Sequence, residues 1–336
     1  TAWDSIFKDS QLRLFIAGSH ISAMERLLLS DAPLFGRMTG KLYVRPFSFV
    51  ESQYFMRRYA LEKRLAVYAI LGGIPDYLRR WDDQADLMTN IKEVFLSDRS
   101  AFRNEQSVLI SDVLRRDSPD YEAILAAVGR GLHDLSAIAT DCVLPSGRVA
   151  NVLGILSESR LIERRIRASV PSAQHEQARH ARYFLSDPFL RFYYRFVVPN
   201  RSRIAQDLYD TLELQFVEQM RAFVGAMFEE LCRTWTLVQA RAGGLPFSPD
   251  FVGSDWGVHH QVDIVAVNWR ENQVLIGEAK WGDEPPDRKD WRAFADRVQK
   301  VAQRLETVTS KVKKETKPWQ LHLIFFSRRG VTAALR

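Results

Sequence analysis

At 336 residues, with 46% hydrophobic and 26% charged side chains, the chain has ordinary globular usage and length for two or three cored domains, which excludes a disordered or fibrous protein. No run approaches the roughly 18 apolar residues of a membrane span, and the opening TAWDSIFKDSQLRLF lacks the basic flank and apolar stretch of a secretion signal, so no membrane partner is expected. A net charge of +6 leans towards an anionic partner, and two distant cysteines, Cys142 and Cys232, fit a reducing cytoplasm.

The pattern predicts a short buried strand over Gln11–Ala17, closed by Gly18-Ser19, a helix over Ile21–Leu29, and another short strand around Leu42–Val44. Tyr59–Trp81 has helical apolar spacing broken by Gly-Gly-Ile-Pro, and a further helix covers Ala85–Leu96. The words GSHISAMERLLL, APLFGRMTG, VRPFSF and YAILGGIPDYL resemble the archaeal-type ATPases, P-loop enzymes of the STAND/AAA-like group. That resemblance implies that Ser19 lies beside the nucleotide phosphates, that Arg37 is the arginine of a GR signature, and that Gly73 and Pro75 sit in a helical lid near the base. ATP or ADP would bind in the complete family protein. The sequence itself departs from this pattern, because G-x-x-x-x-G-K-[ST], whose amides cradle phosphates, is absent. In Gly36–Lys41 (GRMTGK) the glycines stand one residue too close, and Leu42 replaces the hydroxyl residue. The first ATPase strands are expected before Thr1, and this polypeptide alone is expected not to hydrolyse ATP.

From Tyr121 the rhythm becomes three short helices, Tyr121–Gly131, Leu135–Thr140 and Pro145–Ser159, then two strands, Leu161–Ala168 and Arg182–Leu185. That order matches a winged helix-turn-helix, whose third helix enters a major groove. Arg148 and Asn151 lie in its early turns, and Arg164, Arg165 and Arg167 decorate the wing. Seven arginines against three glutamates between Pro145 and Arg182 favour phosphate contact. The alternative is an interdomain spacer whose arginines are solvated or paired. Phe189, Phe192, Tyr193 and Phe196 share a helical face that reads as packing rather than a stacking platform, and Pro199–Ser202 reads as a linker.

A long amphipathic helix spans Leu212–Arg241, followed by strands near Phe251, over 261–268 and over 274–281, a helix over Asp287–Thr307, and a last buried strand, Trp319–Ser327. QVDIVAVNWRENQVLIGEAKW forms the central hairpin. A turn centred between Arg270 and Glu271 sets Asp263 opposite Glu278, with Lys280 on the face of Glu278 because side chains alternate along a strand. Charges on apolar strands need partners or a metal. Mg²⁺ or Mn²⁺ on Asp263 and Glu278 meets that need, with Lys280 placing the attacking water. An Asp, a hairpin and then Glu-x-Lys resembles the PD-(D/E)XK nucleases, and αβββαβ is the core order of their restriction-endonuclease-like fold. That resemblance implies one more acid from the long helix, Glu229 or Glu230, with Phe228-Glu229 favouring Glu229; the other is expected to face water. His259 and His260, Lys289, Gln299 and Lys311–Lys317 read as loop or solvated residues.

The expected whole is an α/β multidomain protein: part of a P-loop ATPase core over 1–50, a helical lid over 51–112, a winged helix over 113–198 and a nuclease-like domain over 205–336. Two functions follow, a metal-dependent DNA endonuclease module of a nucleotide-switched ATPase, or a noncatalytic DNA-binding regulator with a degenerate nuclease fold. DNA, self-association and an N-terminal ATPase portion are the expected partners.

Overall fold

The computed structural model describes residues 10–11, 13–18, 24, 27, 29–30, 32, 35–97, 100, 102, 119–178, 180–258, 260–312 and 317–332. It is a mixed α/β molecule with two small sheets among those residues. After a one-turn helix at Phe49–Ser52, capped by Ser48 and Glu51, come α1 (Leu61–Leu71), α2 (Pro75–Arg79) and α3 (Leu87–Ile91). The starts of α2 and α3 follow from their sequence. Pro75 opens α2 with its φ already set, and the Asp86 carboxylate accepts from the Met88 and Thr89 amides at the head of α3. A π-turn carries α3 on through Lys92–Leu96.

Helices α4 (Pro119–Gly129), α5 (Leu135–Cys142) and α6 (Ser146–Glu158) precede an antiparallel pair, β1 (Ile162–Arg165) and β2 (Arg182–Leu185), which gains a bridge between Asp134 and Arg182. Pro145 caps α6 rather than occupying its first turn. The aromatic segment then forms α7 (Pro188–Phe192) and a π-turn, Tyr193–Val197, whose rings are buried as expected. Phe192 sits with ring centroids 4.7 Å from Phe95 and 5.0 Å from Phe196. One continuous core runs from Met56 through α4, α6 and α7 to Phe216, so the segments expected as lid and winged unit share an interior.

The last unit comprises α8 (Tyr209–Arg241), β3 (Phe251–Trp256), β4 (Gln261–Asn268), β5 (Gln273–Lys280), α9 (Arg288–Val312) and β6 (Gln320–Ser327). Its sheet order is β3-β4-β5-β6, antiparallel except for the parallel β5–β6 pair. Helix α8 covers one face through Cys232 against Ile264, Ala266 and Leu275. Helix α9 covers the other through Phe294, Val298 and Val301 against Val265, Val267 and Ile276. Both faces being covered explains why β4 and β5 read as unbroken apolar runs.

Four expectations give way. The segments 13–17 and 42–44 form no strand; Phe15, Leu42 and Val44 are exposed, because an apolar run with no neighbouring strand among the described residues has no ladder to join. Residues 199–202 are no open linker: they are helical turns, and buried Asn200 donates to the Phe196 carbonyl at 2.8 Å. Strand β6 is an edge strand, and Leu321 and Leu323 are exposed on it. The Ile21–Leu29 helix and His259 fall largely or wholly outside the described residues.

Candidate active site

The site is built at the end of the β4–β5 hairpin. Pairing runs from Asn268↔Gln273 to Ile264↔Gly277, so the next step sets Asp263 across from Glu278, the register the turn predicts. The ladder stops there. The Ala279 amide donates instead to Asp263 Oδ2 at 3.0 Å. On its other edge β4 meets β3 with Gly253↔Val265 but Asp255↔Val262, so two β4 residues, Asp263 and Ile264, oppose Ser254 alone. Such a bulge re-aims a side chain at a sheet end, and it takes Asp263 out of strict alternation.

Glu278 and Lys280 lie two residues apart on one face, and Lys280 Nζ stands 3.0 Å from Glu278 Oε1. Arg297 of α9 reaches the same oxygen at 2.7 Å, and Lys280 also faces Asp290 at 3.7 Å. The sequence left Arg297 unmarked; the available signal was its place one helical turn from Phe294 and Val301 on a helix facing β5. Asp263 and Glu278 are buried, while Lys280 keeps partial solvent access. Burial first, and then the Glu278 charge, hold the Asp263 carboxyl above the ordinary carboxylate range, against the Ala279 amide, Arg233 and Arg297.

Helix α8 delivers the third acid. Burial, and then Asp263, push Glu229 well above the ordinary carboxylate range, with Glu278 adding to the effect. Its neighbour Glu230 points elsewhere but does not face water, contrary to expectation. Glu230 accepts from Arg165 at 2.6 Å and from Arg191 at 2.7 Å, with Arg233 at 4.0 Å. Those three guanidiniums outweigh its burial and hold it down at about 2. Successive helix positions turn by ~100°, so one glutamate meets the hairpin and the other the β1–β2 unit.

The residues assigned to DNA separate into two groups. Arg148 and Asn151 are exposed on α6, Arg148 paired with Asp120 at 2.7 Å. Arg164 and Arg165 do not decorate a free wing. Arg164 donates to the carbonyls of His175 and Ala178, at 3.1 and 2.9 Å, closing the β1–β2 connection. Arg165 lies over the Phe184 ring and on Glu230. Arg167 is half-buried towards the last unit, within 5.9 Å of the Trp256 ring. The connection itself is seated on β3, with Ala168 donating to the Ser254 carbonyl at 2.9 Å and Ser169 to Asp255 at 3.1 Å.

Of the positions assigned to nucleotide, Ser19 lies outside the described residues and Arg37 sits in a turn. Gly73 serves packing: the Phe47 amide donates to its carbonyl at 2.8 Å, and a Cβ there would stand 1.9 Å from the Phe47 oxygen, while Pro75 is exposed at the start of α2. Lys289 and Gln299 are exposed on α9.

As a cation site the donor set is hard oxygen. Among the described residues no three acidic, histidine or cysteine groups stand at common ligand separation, so Asp263 and Glu278 provide a two-carboxylate set of the kind magnesium shares with water and phosphate. The Glu278 charge beside buried Asp263 is repulsive, and a divalent cation between them would relieve that repulsion.

The family model DUF234, described as archaeal and bacterial proteins of unknown function, matches residues 193–294, a span containing Glu229, Asp263, Glu278 and Lys280. Over 286 residues the chain is 29% identical to an uncharacterized protein of Methanocaldococcus jannaschii, covering 83% of this chain and 62% of that relative. The chain thus spans less than two thirds of the length of the relative it matches. No solved structure gives a significant match. Among the described residues no helix is long and apolar enough to cross a membrane.

Proposed function

We propose that residues 205–336 are a divalent-metal-dependent phosphodiesterase module acting on DNA, with a restriction-endonuclease-like core. The observation carrying this reading is the convergence of Asp263, Glu278 and Lys280 at the open end of one hairpin, with Glu229 brought up by α8. Asp263 and Glu278 would hold Mg²⁺ or Mn²⁺. When bound, such a cation supplies Lewis-acid polarisation of the phosphate and acidifies water at neutral pH. Lys280 orients that water and offsets charge developing on the phosphorus oxygens. Arg297 holds Glu278 in place from α9, and Glu229 completes the acidic set. The three helices and strand pair of residues 119–185 have the order of a winged helix, and exposed Arg148 and Asn151 on α6 would meet the duplex. In the complete protein an ATPase portion would control the module.

The second reading, a noncatalytic regulator, draws on one observation: Glu278 already has two cationic partners, Lys280 and Arg297, as in a site that stays folded without metal. Cleavage of supercoiled DNA with Mn²⁺ separates the readings. Lys280→Ala is expected to lower kcat by at least 100-fold while leaving the melting temperature within a few degrees. DNA binding with no cleavage by the parent chain would favour the regulator.

A further inference from the structure

A second cluster of charged side chains gathers around Glu229 and Glu230 on α8. A cavity of about 230 Å³ lies where α8 meets α7, the end of α4 and the β1–β2 pair. Its charged lining is Arg165, Arg191, Arg195 and Arg233 against Glu229 and Glu230. Four fixed positive charges therefore meet two carboxylates. Glu163 takes up part of the Arg165 charge from outside the lining, at 2.6 Å. The balance at the cavity is still cationic, which is costly in a shielded place unless an anion shares it.

The hydrogen bonds agree. Arg165 uses Nε and Nη2 on Glu163 and Glu230. Arg195 uses Nε on Gln219 and Nη1 on the Arg130 carbonyl, and Arg233 uses Nη1 on the Asp263 carbonyl. Each of the three keeps guanidinium nitrogens with no hydrogen-bond acceptor among the described residues. Guanidinium forks from β1, α7, the following π-turn and α8 at one cavity form an arrangement matched to phosphate oxygens. At ~30 Å³ per water the cavity holds roughly seven, room for a tetrahedral phosphate and a few waters, whereas a nucleoside would have to remain outside. Ala222 and Ala226, exposed on α8, mark its open side.

We propose that this cavity binds a phosphate group, supplied by inorganic phosphate or by a nucleotide, with Glu230 as the built-in carboxylate that competes for the same arginines. The site does not rest on the hydrolytic reading, and its test is run without divalent metal. Titration calorimetry of the full chain at constant ionic strength takes sodium phosphate as one probe and adenosine monophosphate as the other.

Saturable phosphate binding is expected to weaken at least tenfold in Arg195→Gln and in Ala226→Phe, which keeps every charge but fills the mouth. Binding is expected to tighten severalfold in Glu230→Gln, if a melting curve finds that variant folded. Adenosine monophosphate binding with the same pattern, and no response to phosphate, assigns the source to a nucleotide. No binding of either probe, or affinities unchanged in both Arg195→Gln and Ala226→Phe, overturns the site. Unchanged affinity in folded Glu230→Gln overturns the role given to that carboxylate.

Discussion

Glu229 and Glu230 are consecutive on α8 and titrate in opposite directions, because one meets acids and the other meets arginines. For Glu230 the folded value, about 2, lies below the ordinary 4.5, so between those pH values the unfolded chain binds a proton that the folded chain refuses. Its stabilisation is complete above 4.5 and is lost as pH falls towards 2. Glu230→Gln should therefore remove one component of acid unfolding and cost about 3 kcal/mol at pH 7 by leaving buried arginines unpaired, read from denaturant melts across pH. Glu229 has the reverse sign. Its folded form prefers the proton, so it takes stability away as pH rises above the ordinary carboxylate range. Glu229→Gln should flatten that alkaline decline, and thermal melts from pH 6 to 9 check it; a steeper decline would contradict the placement of Glu229 beside Asp263.

At the scale of the element, the β4–β5 hairpin depends on close approach as much as on charge. A Cβ on Gly277 would stand 2.7 Å from Ile324 Cγ2 of β6 and 3.0 Å from Ile264 Cβ of β4. Gly277→Ala should destabilise by about 1–3 kcal/mol through overpacking, measured by urea denaturation. The hairpin was legible because apolar runs, turn and register are all local, and the same locality made α4 to α6 and the aromatic face of α7 readable. The bulge at Asp263, the Arg297 contact and the cage around Glu230 were not: no residue pattern marks a break in the β3–β4 pairing, and the other two contacts join Glu278 to a separate helix and Glu230 to arginines of β1 and α7. Arg165 shows why: the winged-helix order and the local excess of arginine set it on a wing, and only its contacts with Phe184 and with Glu230 of α8 turn it inward. Among the described residues of 11–17 and 42–44 the expected strands failed for a related reason, since propensity supplies apolar residues but not a neighbouring strand.

Across the whole molecule, the helical region and the β1–β2 unit share one interior, and α8 ties that interior to the sheet of the last unit. Phe192, fully buried among Phe95, Phe196 and Phe216, is a central point of the shared core. Phe192→Ala should cost about 3–5 kcal/mol, and residues on both sides of 112 should unfold in one transition by hydrogen exchange. The aromatic core positions α7, α7 positions Arg191 on Glu230, and α8 then carries Glu229 to the hairpin. The central claim is that the acids at the hairpin end hold a divalent cation. Calorimetric titration of Mn²⁺ into the parent chain and into Asp263→Asn tests it most directly. Saturable binding at one site in the parent, weakened at least tenfold in the variant while its melting temperature holds, is the predicted result; no Mn²⁺ binding by the parent, or equal binding by both, would contradict it.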